Sequence, residues 1–250
     1  MSLRSGLSNI RTGILHSLHR RMVTLGDLGP IITFSYDDFP RSALETGADI
    51  VERFGGRATY YVSMSLMGTN NDLGEQFSSA DLRTLVERGH EVANHTYNHL
   101  SARSTPIEEF LEDAYYGEET IRESIGLSAS NNFAYPYGEV TLATKKQLGR
   151  RMKSCRGTCR GLNGPDVDLN LLRANHLYGG IDQCETAKRM IVENEKQNAW
   201  LIFYTHDVRI DPSQYGCTPA LLTEVLFFAA DHCAKIVTVA ETVDKLGCSA

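Results

Sequence analysis

Strand-like runs that alternate with helical stretches restrict what this chain can fold into. Eight short runs rich in β-branched and aromatic residues read as strands, at 31–36, 58–64, 91–94, 133–138, 153–157, 172–178, 200–204 and 235–239. Between most of them apolar residues recur at helical spacing, as in Leu44, Ala48, Val51 and Phe54, or Phe110, Leu111, Ala114, Ile121 and Ile125. Further helices are expected over 141–152, 185–197 and 218–233. Strand and helix in turn predict parallel pairing, in an α/β barrel or a doubly wound sheet. At 250 residues the chain has the length of one such domain, 29–250, preceded by an extension at 1–28. That extension reads as an amphipathic helix, with Arg4, Arg11, Arg20 and Arg21 among Ile10, Ile14, Leu15, Leu18 and Met22.

Composition narrows the function classes. A net charge of −6 argues against a general nucleic-acid or anionic-membrane binder, either of which needs a basic field. No run approaches the roughly 20 apolar residues of a membrane span, and no apolar export signal opens the sequence, so a cytoplasmic protein is the default expectation. Six cysteines, with no Cys-x-x-Cys among them, are expected to be reduced structural thiols.

Candidate chemistry gathers at strand ends. The run Gly89–His99, GHEVANHTYNH, delivers His95 and His99 from the end of a strand, and the strand 31–36 runs into Asp37, Asp38 and then Pro40. Neutral imidazole and carboxylate are zinc ligands, and a catalytic zinc site keeps three of them plus an open position. Adjacent aspartates at a strand end point in different directions, so one is suited to coordination and the other to proton transfer. Tyr137 follows the strand at 133, and His206 follows the run 200–204. In a barrel, all of these sit on the rim where active sites are assembled. Tyr36, Tyr97, Tyr135 and Tyr137 are aromatic candidates for sugar contact or for packing.

These motifs, in this order, resemble the NodB-type polysaccharide deacetylases of carbohydrate esterase family 4. The likeness runs from Thr33 to Gly247 and rests on Ser35–Pro40, His95–His99, Tyr135–Gly138 and Leu201–His206. It implies a distorted (β/α) barrel of seven or eight strands. It also implies a divalent metal, zinc in particular, on Asp38, His95 and His99, with Asp37 as general base, Tyr137 N–H as oxyanion donor and His206 as acid. The implied substrate is an N-acetylated glycan or oligosaccharide, with Tyr97, Tyr135 and Arg156 as expected substrate contacts. Two positions depart from the pattern. Ala134 stands where the family carries an arginine paired to the catalytic aspartate, and Arg156 or Arg160 are the candidates to replace it. The Asp-Trp element that supports the histidine is missing, with Asp207 or Asp211 as candidates to orient His206. A small amide or cyclic ureide as substrate, or a glycan-binding module without turnover, are the competing readings, and the oligomeric state is open.

Overall fold

The computed structural model describes residues 13, 15, 17–126, 129–232 and 234–247. The extension is helical at the described residues Gly13, Leu15 and Ser17 and then forms a strand, β1 (Met22–Thr24), so the expected helix does not continue to residue 28. Most of the predicted amphipathic helix, Arg4 and Arg11 included, lies outside the described residues. Then come β2 (Ile31–Asp37), a π-helical stretch Ala43–Ala48 running into α1 (Asp49–Arg53), β3 (Thr59–Val62), and the hairpin strands β4 (Asn70–Asn71) and β5 (Gly74–Glu75). Next are α2 (Ser79–Glu87), β6 (Glu91–Asn94), α3 (Ile107–Ile125), β7 (Ala129–Ala134), α4 (Leu142–Leu148) and β8 (Ser154–Arg156). The chain continues through β9 (Asp166–Asp168), β10 (Asn175–His176), α5 (Cys184–Gln197), β11 (Trp200–Thr205), α6 (Pro219–Asp231), β12 (Lys235–Ile236) and α7 (Val239–Lys245). None of these helices is long and apolar enough to cross a membrane.

Eight strands form one parallel sheet in the order β10-β11-β2-β3-β6-β7-β8, with β12 laid against the start of β2. The sheet curls into a distorted (β/α) barrel. Its seam is closed by an irregular segment, not a full strand: Leu172 bridges to Arg156, and Cys155 N–H donates to Leu169 O at 2.8 Å. The run 172–178 therefore keeps only two residues as regular strand.

Alternation along the strands sorts the side chains. On β2, Ile32, Phe34 and Tyr36 pack outward under the helices with Tyr60, Val62, Leu201 and Phe203. Ile31 faces inward with Tyr61, Ala93, Ala134, Trp200, Ile202 and Tyr204. The period of two then carries Asp37 to the top of the inner face, in line with Ile31, Thr33 and Ser35. His95 arrives the same way after Glu91 and Ala93, Arg156 after Ser154, and His206 after Trp200, Ile202 and Tyr204.

Helix ends follow from local chemistry. Ser78 and Asp81 form a capping box that starts α2, and Thr218 caps α6 ahead of Pro219, where a missing N–H costs nothing. The bottom of the barrel is sealed by polar groups that satisfy one another. Glu91 accepts from Thr59 Oγ1 at 2.7 Å, Ser130 Oγ at 2.6 Å, Asn132 Nδ2 at 2.7 Å and Ala240 N–H at 2.8 Å. Trp200, the single tryptophan, donates to Thr33 Oγ1 at 3.0 Å in this lower region, which makes it a core residue. The extension is tied down by the fully buried Lys145, whose Nζ reaches Leu15 O at 2.6 Å and Asp168 at 2.7 Å. Cys155, Cys159, Cys184 and Cys217 are free thiols.

Glu91 joins four elements through those bonds, so Glu91→Ala strands several buried donors at once. We expect a loss of about 3 kcal/mol in unfolding free energy, from one to a few kcal/mol per orphaned group. Urea denaturation checks this, and a loss below about 1 kcal/mol would show that the network carries little of the stability.

Candidate active site

The top of the barrel opens into a cleft of about 980 Å³ whose floor holds Asp37, Asp38, His95 and His99. Asp37 ends β2, nine-tenths or more buried, and both of its oxygens lie 2.6 Å from Arg156 Nη2. Arg156 ends β8, fully buried between the rings of Tyr61 and Tyr204 at 4.9 and 5.1 Å. Burial works to raise the Asp37 pKa, but the charge and hydrogen bonds of the Arg156 guanidinium outweigh it and hold the carboxyl below its usual range. The β7–β8 register sets Arg156 directly beside Ala134. The charge absent from Ala134 is thus supplied one strand over. Arg156 is the ion-pair partner of Asp37 and, being fully buried, does not touch substrate as the sequence reading expected. Arg160 points elsewhere, against His176.

Asp38, His95 and His99 bring one donor atom each to within 4.8 Å of the others. His95 Nδ1 donates to the carbonyl of Ala134 at 2.8 Å, which leaves Nε2 to face Asp38. His99 Nε2 lies 3.2 Å from Asp38 Oδ1. Burial pushes the two imidazoles down to about 3 and about 4, so both are neutral lone-pair donors and their contacts with Asp38 are not salt bridges. Burial also pushes Asp38 up to about 6, and its Oδ1 is buried without a hydrogen-bond donor. An orphaned carboxylate oxygen flanked by two neutral imidazoles fits a divalent cation, and no other group of this kind occurs among the described residues.

The backbone is bent to make this site. Of seven non-glycine residues with positive φ among the described residues, five are here: Asp38, Phe39, Thr96, His99 and Tyr137. Asp113 on α3 holds the histidine loop, accepting from Tyr97 N–H at 3.0 Å, Asn98 N–H at 2.9 Å and Asn98 Nδ2 at 2.6 Å. Helix and loop come that close because residue 117 is glycine: a Cβ there would lie 2.7 Å from Asn94 Oδ1 and 2.9 Å from the Thr96 and Tyr97 backbone. The sequence reading missed Asp113, which is indistinguishable there from any polar residue of an amphipathic helix.

Tyr137 sits in a left-handed turn with its ring largely exposed against His99, 4.5 Å between centroids. His206 lines the cleft, and Nδ1 lies 3.1 Å from Tyr215 O. Neither Asp207 nor Asp211 bonds to its ring: Asp207 is turned into its own loop, toward Ser213 and Arg209. Two expected substrate contacts are elsewhere. Tyr135 is buried in the outer core beside Phe133, two residues along the same face, and Tyr97 packs against Tyr116 of α3 with ring centroids 4.5 Å apart, outside the cleft lining. Tyr178, Tyr204 and Tyr215 line it instead. His90 lies at the opposite end of its strand, bonded to Ala58 N–H and Glu52.

The family model for polysaccharide deacetylase matches residues 27–152. Among solved structures, the Xyl-CE4 domain of a multidomain xylanase from the hindgut metagenome of Trinervitermes trinervoides is 19% identical, with a TM-score of 0.54 over 88% of this chain and 92% of that one. Peptidoglycan deacetylase PdaC from Bacillus subtilis is 18% identical, with a TM-score of 0.52 over 87% and 91%. A BA3943 mutant, described as a CE4 family pseudoenzyme, is 12% identical, with a TM-score of 0.56 over 86% of this chain and 67% of that one. At these identities the likeness is one of fold. No curated protein matches by sequence. With the family model spanning half the chain and the barrel in place, the chain belongs to the polysaccharide deacetylase family.

Proposed function

We propose that this protein is a metal-dependent hydrolase that removes N-acetyl groups from a glycan, either polymer or oligosaccharide. The observation that carries the reading is the convergence of Asp38, His95 and His99 beside the ion-paired Asp37 on the floor of one cleft. Asp38, His95 and His99 would hold a divalent cation, zinc in particular, which would supply Lewis acidity toward the acetamide carbonyl and the attacking water. Asp37 takes the water's proton as general base, and the Arg156 guanidinium keeps its carboxylate ionised and aimed. The main-chain N–H of Tyr137 donates to the developing oxyanion. His206 protonates the leaving amine, which as a poor leaving group needs an acid.

The cleft supports a sugar as substrate. Its size suits more than one ring, and Tyr137, Tyr178 and Tyr215 offer flat apolar faces bearing hydroxyls. Its described lining includes no lysine or arginine side chain, which favours a glycan without carboxylates. A small amide or ureide would leave most of this volume unfilled.

Two expectations test the assignment. With zinc-reconstituted protein, acetate release is expected from tetra-N-acetylchitotetraose or another member of a panel of N-acetylated glycans. Asp37→Asn is expected to lower kcat by at least about 100-fold with zinc content unchanged. Loss of the metal in that variant would place Asp37 among the ligands, and turnover of small amides alone would reject the glycan. Asp113→Ala releases the loop that carries both histidines, so zinc affinity is expected to fall about 10- to 100-fold. Competition with a chromophoric chelator measures it, and unchanged affinity would show that the loop holds its shape without Asp113.

A further inference from the structure

The His206 imidazole has a main-chain carbonyl where a carboxylate would ordinarily orient it. Tyr215 O accepts from His206 N–H at 3.2 Å and from Thr205 Oγ1 at 3.3 Å, and it lies 3.1 Å from His206 Nδ1. A carbonyl only accepts, so Nδ1 carries a proton in either charge state, and Nε2 is the nitrogen left for a reacting group.

The Tyr215 carbonyl is in turn placed by the residue after the histidine. Asp207, fully buried, accepts from Ser213 N–H at 2.9 Å and Ser213 Oγ at 2.5 Å. Ser213 Oγ accepts from Tyr215 N–H at 3.2 Å, and Asp207 O accepts from Cys217 N–H at 2.9 Å. Gly216 lies on the carboxylate so closely that a Cβ would be 2.4 Å from Asp207 Oδ1. Arg209 neutralises the buried charge, with Nε 2.8 Å from Asp207 Oδ2, and extends to Asp72 O at 3.1 Å on the turn between β4 and β5. The loop 207–217 is thus wrapped around one carboxylate, and its product is a carbonyl aimed at Nδ1.

We propose that Asp207 is a positioning residue for the proton donor: through Ser213 and the Tyr215 carbonyl it fixes the orientation and tautomer of His206, in place of a carboxylate on the ring itself. The proposal rests on the reading of His206 as the acid that protonates the leaving amine. A residue that acts only through His206 has no effect once His206 is gone, and little effect where the leaving group needs no proton. A merely structural residue satisfies neither condition.

The test uses zinc-loaded protein with tetra-N-acetylchitotetraose as the amide substrate and p-nitrophenyl acetate as the ester. Asp207→Ala is expected to lower kcat on the amide about 10- to 100-fold, with KM and zinc content near wild type. In a His206→Ala background the same change is expected to cost less than about twofold, and on the ester it is expected to cost less than about twofold in either background. An equal loss in both backgrounds, equal losses on amide and ester, or no loss at all would overturn the proposal. Full amide activity in His206→Ala alone would instead overturn the reading of His206, and no wild-type turnover of either substrate would remove both. Should Asp207→Ala fail to give folded holoprotein, Ser213→Ala, which cuts the same link at the rim, carries the same comparison with an expected loss of about 3- to 10-fold.

Discussion

Asp37 and Arg156, 119 residues apart, meet inside the barrel as a buried ion pair on which the upper half of the molecule depends. Taking a carboxylate and a guanidinium out of water costs several kcal/mol for each ion, and the attraction between them offsets this only in good geometry. Here the guanidinium lies between the Tyr61 and Tyr204 rings, whose π faces favour a cation, and its Nη1 also donates to Gly157 O at 3.2 Å. The pair spans the barrel from β2 to β8, so it forms only once the sheet has curled. Removing either partner leaves the other charged and unpaired beneath the cleft, which ties barrel closure to the state of the carboxylate.

Around that pair the backbone is held in costly shapes. A non-glycine residue in the left-handed region costs about 1–2 kcal/mol, and five of them crowd the rim. Such conformations persist when surrounding contacts over-determine them. The histidine loop has such contacts in Asp113, whose carboxylate receives three N–H donors, and in the close approach that Gly117 permits. Thr96 adds a fourth, its Oγ1 accepting from Leu100 N–H at 3.2 Å. The triad is thereby preorganised by groups that never touch it.

The sequence made much of this legible where the governing rule is local. Period-two alternation carries Asp37, His95 and His206 to the inner top of the barrel, and short motifs at strand ends mark them before any coordinates exist. Tyr135 shows the same rule neglected: Phe133 and Tyr135 share the outward face, so Tyr135 was bound for the core under α3. What was not legible depends on register between strands. That Arg156 and not Arg160 reaches Asp37 follows from the pairing of β7 with β8, and a parallel pair leaves no turn in the sequence from which to read its register. Asp113 and the loop wrapped on Asp207 are likewise products of packing. The extension was misread at its end because Arg and apolar residues at helical spacing say nothing of the β9 edge on which Met22–Thr24 pairs.

Ala134 shows how backbone and side chain at one position serve the site separately. Its carbonyl receives His95 Nδ1–H and so fixes which imidazole nitrogen faces Asp38, a task that any residue's backbone performs. Its side chain is small and faces the interior beside Arg156, where an arginine would set a second guanidinium against the first. One buried carboxylate supports one buried cation, since a second would lie unpaired at low dielectric. Alanine at 134 and arginine at 156 are therefore complementary: β8 delivers the one cation that Asp37 requires, and the small side chain at 134 leaves room for it. His206 follows the same logic, with its acceptor supplied by the Tyr215 carbonyl. In both cases what matters is the place of a charge or a lone pair, which a motif read along the chain records only when a residue of the motif supplies it.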